Sequence, residues 1–239
     1  MMSYNIPKTS GCRKPVWMDM AGLYPDDRDC LAAFIAFRAA EVLAGIKPSS
    51  LINLVNRPIR CGKNLYALWK EHGEEILLDS ALEAKVMTDR TDSMLLLIYD
   101  RAALKLILSR RSVQVLLRKS GYRDGLHVDA LLTEFASRFD QGWVPHEIGI
   151  VLGYPLKDVA GFLGLGRLRF SCQGPWRIYG NPRESLLLAE RHFHCRCRMA
   201  GLLLSGCAPC DCLAGNGGSE ALPKDGIFCC GNENENHFK

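Results

Sequence analysis

The sequence predicts an α/β protein of the α+β kind: a small mixed sheet covered by several helices, with a helical hairpin at 145–163. Three observations carry this. Apolar residues recur at helical spacing in several separate stretches. Short apolar or β-branched runs stand between them at 50–55, 84–88 and 94–99. Two prolines ten residues apart, Pro145 and Pro155, each suit the first turn of a short helix, where a missing N–H costs nothing.

Residues 1–25 carry Pro7, Pro15 and Pro25 and read as an irregular lead-in. Asp26 and Asp27 then cap a helix whose apolar face is Leu31, Phe34, Ile35 and Val42, with Gly45 as its stop. After Pro48, Ser50–Val55 reads as a strand. A helix over 64–72 is expected to stop at Gly73. Ala84–Thr88 and Met94–Tyr99 read as a hairpin, and the unbroken apolar run of its second arm predicts burial on both faces. Helices follow at 102–108, 112–119 and 129–139, the last with Leu131, Leu132 and Phe135 as its stripe. Beyond the 145–163 hairpin, Trp176–Tyr179 reads as a strand, and Pro182 opens a helix to about Ala200. Residues 26–200 thus read as a single domain, and 201–239 as a separate, flexible, cysteine-rich tail.

Apolar residues make up 48% of the 239 and charged residues 23%, an ordinary globular balance. The net charge of +4 is too small to imply nucleic acid without a concentrated patch. No apolar run approaches the roughly 20 residues of a membrane helix, and residues 1–20 lack the apolar stretch of an export signal, so a cytoplasmic location is expected. In that compartment thiols stay reduced. Seven of the eleven cysteines (Cys195, Cys197, Cys207, Cys210, Cys212, Cys229 and Cys230) fall in the last 45 residues and read better as metal ligands or redox groups than as disulfides.

One set of motifs carries a family resemblance. Leu43-Ala44-Gly45-Ile46-Lys47-Pro48, Leu97-Ile98-Tyr99, Pro145-His146-Glu147-Ile148-Gly149, Gly153-Tyr154-Pro155, and Trp176-Arg177-Ile178-Tyr179-Gly180 occur in this order. The set resembles the bacterial family called domain of unknown function 3793, over roughly residues 28–195. The resemblance implies no established activity. Members carry a His-Cys pair just before the Leu-Ala-Gly-x-Lys element. Here Arg38-Ala39 stands there, so any chemistry of that thiol is not open to this chain.

Several constellations are candidates for chemistry. His146 and Glu147 are candidates for an acid–base pair in a small-molecule enzyme, and equally for a capping pair that fixes a loop. A zinc-protease helix is excluded, because the second histidine it needs is Ile150. The spacing of Ile148, Gly149, Leu152, Gly153, Val159 and Phe162 fits a helix-turn-helix. Its second helix, however, offers only Lys157 and Asp158 as charges, so nucleic-acid binding is disfavoured. Cys61 precedes a helix start and could be a nucleophile, though a lone cysteine is more often a small apolar residue. The Cys207-x-x-Cys210 knuckle, with Cys212, could share one zinc or iron with His192, Cys195 and Cys197, or with His194. Lys47, Tyr154, Trp176 and Tyr179, at element ends, form the expected binding surface. The primary expectation is a binding or regulatory protein with a metal-binding (zinc or iron) cysteine-rich module; a small-molecule enzyme using His146 and Glu147 as an acid–base pair and a helix-turn-helix-like nucleic-acid regulator are the alternatives.

Overall fold

The structure is a computed structural model that describes residues 13–215. Helix α1 (Asp27–Arg38) starts at Asp26, whose carboxylate accepts the Asp29 amide at 3.0 Å. Every residue from Cys30 to Phe37 is buried. The helix therefore has no wet face along that stretch and runs through the core. A break at Ala39 leads to α2 (Ala40–Leu43), and Gly45, at φ 66°, turns the chain into β1 (Ser49–Val55). Helix α3 (Leu65–Leu77) is capped by the Asn64 side chain, which accepts the amides of Tyr66 and Ala67. It runs through Gly73 instead of stopping there. A Cβ at Gly73 would lie 2.5 Å from the Trp69 ring, so this glycine makes room for an indole and not for a turn.

Strands β2 (Glu83–Asp89) and β3 (Ser93–Tyr99) complete the first sheet in the order β1-β3-β2. Both pairings are antiparallel, with Leu97 of β3 opposite Leu51 of β1 and Lys85 of β2. The sheet expected to be mixed is thus wholly antiparallel. Alternation along β3 sends Met94, Leu96 and Ile98 into one core, with Ile52, Leu54 and α1. Leu97 and Tyr99 enter a second core with Met87 and Phe135. The apolar run in β3 follows from this: helices cover both faces. On the second face lie α4 (Arg101–Leu108), α5 (Arg111–Lys119) and α6 (Val128–Asp140).

A 3-10 turn at His146–Gly149 leads through Gly153 to α7 (Leu156–Phe162). The expected hairpin is therefore one short turn and one seven-residue helix. Asp158 and Val159 of α7 are buried, so α7 does not offer the exposed second helix of a DNA reader. Strands β4 (Phe170–Gln173) and β5 (Arg177–Tyr179) form a small antiparallel ribbon; the first of them was not expected. Helix α8 (Arg183–Leu204) and α9 (Pro209–Leu213) end the described chain.

Both ends of the described chain belong to the core. Trp17 packs edge-on to Phe34, and the Tyr24 hydroxyl donates to the Leu203 carbonyl at 2.9 Å. Leu203, Cys212 and Leu213 are buried in the α1 core. Residues 201–215 are therefore packed structure where a flexible tail was expected, because Leu203 and Leu213 supply apolar surface that α1 and its neighbours cover. The remainder of that segment, with Cys229 and Cys230, lies outside the described residues. Among the described residues no helix is long and apolar enough to cross a membrane.

Candidate functional site

Motifs far apart in sequence meet at one place. Gly153 has φ 74°, and a Cβ on it would lie 2.6 Å from the Pro48 ring and 3.7 Å from the Lys47 Cα. Only glycine fits both the turn and the approach. Beside it, the Ser49 hydroxyl donates to the Val151 carbonyl at 2.6 Å. The Tyr154 ring, next in the chain, stacks on Trp176 at 4.6 Å and 18°. Trp176 in turn stands 5.8 Å from the His192 ring. Lys47, Tyr154, Trp176 and His192 are thus brought together. Tyr179 is near but plays a different part: its amide donates to Asp158 at 2.9 Å, and its ring covers Gly161.

Asp158 organises one half of this region. It is buried, and its carboxylate accepts four hydrogen bonds: from Trp176 Nε1 at 2.8 Å, Ser185 Oγ at 2.6 Å, Lys157 Nζ at 2.8 Å and the Tyr179 amide at 2.9 Å. Lys157 also donates to the Tyr179 carbonyl and to Ser185. Burial pushes the Asp158 pKa up, but the hydrogen bonds from Lys157, Ser185, Tyr179 and Trp176 outweigh it and hold the carboxyl below its ordinary value. Every polar atom of this centre has a partner. It locks α7, β5 and α8 together.

Lys47 organises the other half and is differently placed. It is 8% exposed, and its ammonium donates to Ser50 Oγ at 3.3 Å. No carboxylate lies within 4 Å of it among the described residues. Desolvation lowers its pKa to about 8, and the nearby Arg196 and Arg38 add to this against the pull of Glu41. Glu41 is fully buried. One of its oxygens accepts Arg196 Nε at 2.6 Å, and the other, Oε2, has no partner. The Glu41 carbonyl accepts the Lys47 amide at 3.0 Å, which fixes the two residues relative to each other. His192 is buried with Nε2 also unpartnered; burial first, then Lys47 and Arg196, lower its pKa to about 4. Arg38 reaches solvent at the end of α1, and desolvation and Arg196 lower its pKa. The Arg196 side chain is one third exposed. This centre therefore gathers three cations about one carboxylate, leaves two buried polar atoms unsatisfied, and opens to solvent past Arg38 and Arg196. Tyr154 also lines a cleft of about 390 Å³ with apolar walls from Ile107, Val113, Ile150 and Leu188.

The other predicted residues do not join it. His146 is exposed, with its ring edge-on to Phe162 at 4.9 Å. Glu147 is buried and points elsewhere: it accepts the Tyr122 hydroxyl at 2.6 Å and Arg138 Nη1 at 2.9 Å. Arg138 lies 3.9 Å from the centroid of the Tyr122 ring. Burial and then Glu147 raise the Tyr122 pKa. Adjacent residues on a tight turn diverge, so His146 and Glu147 are not arranged as an acid–base pair. Glu147 is a tie between the 145–150 turn and α6.

The cysteines fall into separate groups for a similar geometric reason. His192, Cys195 and Cys197 sit in the middle of α8, with Leu204 ending the helix before Cys207, Cys210 and Cys212. At 1.5 Å per residue, His192 and the end of α8 are roughly 18 Å apart along the axis. Among the described residues no group of three or more His, Cys, Asp or Glu side chains is placed to hold a metal ion. Instead Cys212 lies beside Cys207, and Cys30 beside Cys61. Burial pushes Cys30 and Cys212 up to about 12 and Cys195 to about 11, values of packed thiols and not of nucleophiles.

Sequence reasoning missed Glu41, Arg196 and Asp158. Glu41 had one visible signal: it is the lone charge in the run Ala39-Ala40-Glu41-Val42-Leu43, where a carboxylate is costly unless paired. Arg196 had none, being one of several arginines on α8.

Fold and site together define an α+β protein built around a buried, largely cationic centre. The chain belongs to the family described as protein of unknown function (DUF3793), whose model matches residues 35–212. No curated protein and no solved structure matches it.

Proposed function

We propose that this chain is a ligand-binding protein, and that its ligand is a small anion bearing a hydrogen-bond donor, held at the Lys47 centre. The observation that carries this reading is the buried Lys47 ammonium with no carboxylate partner, beside the unsatisfied Glu41 Oε2 and His192 Nε2. Buried polar groups are almost always paired, and exceptions cluster where something else supplies the partner. An anionic group would take the spare donors of Lys47, Arg38 and Arg196. A donor on the same ligand would meet Glu41 Oε2. The Tyr154–Trp176 stack supplies a flat wall beside them.

The test is calorimetric titration of the protein with phosphate, succinate and glycine, alongside the Lys47→Met variant. Saturable binding of at least one probe, weakened tenfold or more by the substitution, supports the reading. Binding of none, or binding indifferent to residue 47, refutes it.

A further inference from the structure

The stretch from Val159 to Arg183 contains Arg167, Arg169, Arg177 and Arg183 and no aspartate, glutamate or lysine. All four arginines are exposed, and none has a carboxylate within 4 Å among the described residues. Large apolar side chains stand among them. Phe162 is 42% exposed and Phe170 is 54% exposed, with Leu165 and Leu168 close behind. Several of these groups are in contact. The Arg177 guanidinium lies 5.9 Å from the centroid of the Phe162 ring, and Phe170 stands edge-on to Tyr179, which follows Arg177 by two residues on β5. Gly180 donates to the Arg169 carbonyl and packs beside Leu168.

We infer that this face docks an acidic protein segment whose carboxylates alternate with large apolar side chains. Its composition decides between classes of partner. Arginine and aromatic residues are enriched at protein–protein interfaces while lysine and acids are depleted, and this face follows that bias. A phosphate-tracking or anionic-lipid surface would use lysine as readily as arginine. The uncompensated positive charge calls for carboxylates opposite, where bidentate guanidinium pairing adds direction to the attraction. The Lys47 centre plays no part in this inference.

The experiment uses the full chain and a synthetic peptide alternating Glu with Leu and Phe. Phosphatidylglycerol vesicles and a single-stranded oligonucleotide run in parallel. Binding of the peptide is expected to weaken about tenfold or more in the Arg167→Glu/Arg169→Glu double variant. A similar loss is expected in Leu168→Ser/Phe170→Ser, while Arg118→Glu, an exposed arginine outside this face, leaves it unchanged. Circular dichroism checks that each variant folds. The inference is overturned by absence of peptide binding, by equal binding in the double variants, or by vesicles or oligonucleotide binding more tightly than the peptide.

Discussion

Asp158 and Lys47 are both charged and both buried, yet their surroundings are opposite. Asp158 has a partner for each oxygen, from Lys157, Ser185, Trp176 and the Tyr179 amide. Lys47 has Ser50 alone, with a half-satisfied Glu41 and an unsatisfied His192 beside it. A complete network rigidifies; an incomplete one costs stability unless something returns the cost. The difference separates scaffold from site without any appeal to motif names. Glu147 sides with Asp158 in that it leaves no buried oxygen without a partner, although Tyr122 and Arg138 both bond to its Oε1.

The largest expected effect breaks the satisfied half. Asp158→Ala leaves Lys157 without its counter-ion and Trp176 and the Tyr179 amide without an acceptor. Urea denaturation should show a loss of about 3–5 kcal/mol; a loss under 1 kcal/mol would mean that the network does not lock the fold.

The next separates the centres by pH. Lys47 titrates near 8 in the folded chain and at 10.5 when unfolded. Between these values the unfolded chain holds the extra proton, so this residue's contribution to stability rises with pH, by on the order of 3 kcal/mol at most. Cys30, Cys195 and Cys212 act in the opposite sense above their ordinary 9.0, because the folded chain keeps their protons. The readout is therefore the difference between wild type and Lys47→Met, which should shift in favour of wild type from pH 8 to 10.5. A flat difference would show an unperturbed lysine. On the acid side, His192 is neutral down to about 4 when folded against 6.5 unfolded. Its contribution is present above 6.5 and is lost as pH falls toward 4. His192→Phe should lessen the decline measured by thermal melting over that window; an unchanged decline would remove His192 as its cause.

A smaller effect is expected at Glu147. Glu147→Gln keeps the shape but weakens two charge-assisted bonds, costing about 1.5–3 kcal/mol in denaturant. It should leave anion binding alone; a change in affinity would draw this residue back into the site. Smallest of all is Lys47→Met in the absence of ligand. Replacing a buried, poorly paired charge by an apolar chain is often neutral or stabilising, so a destabilisation above about 2 kcal/mol would show that Lys47 holds the fold.

Much of this was legible in the sequence because it depends on spacing. The helices, the hairpin of β2 and β3, and the two-sided burial of β3 follow from periodicity. Lys47, Tyr154 and Trp176 stand out in the sequence as candidates at element ends, but residue order does not say that they meet; the Gly153–Pro48 approach is what brings them together. Three things were not legible. Gly73 reads as a stop, and only the Trp69 ring explains why it is not. His146 and Glu147 are neighbours in sequence, but the 3-10 turn sends them apart. The cysteine groups look like one ligand set until the rigid length of α8 is placed between them. Each is a fact of direction in space, which residue order does not encode.

The central claim is that the Lys47 centre is incomplete because it awaits an anion. The most direct measurement is the affinity of wild type for the best of the three anion probes as pH rises from 7 to 9. Binding should weaken as the Lys47 ammonium loses its proton near 8, and the pH dependence should disappear in Lys47→Met along with most of the affinity. Affinity that is constant across this range, or equal in the two proteins, would contradict the account.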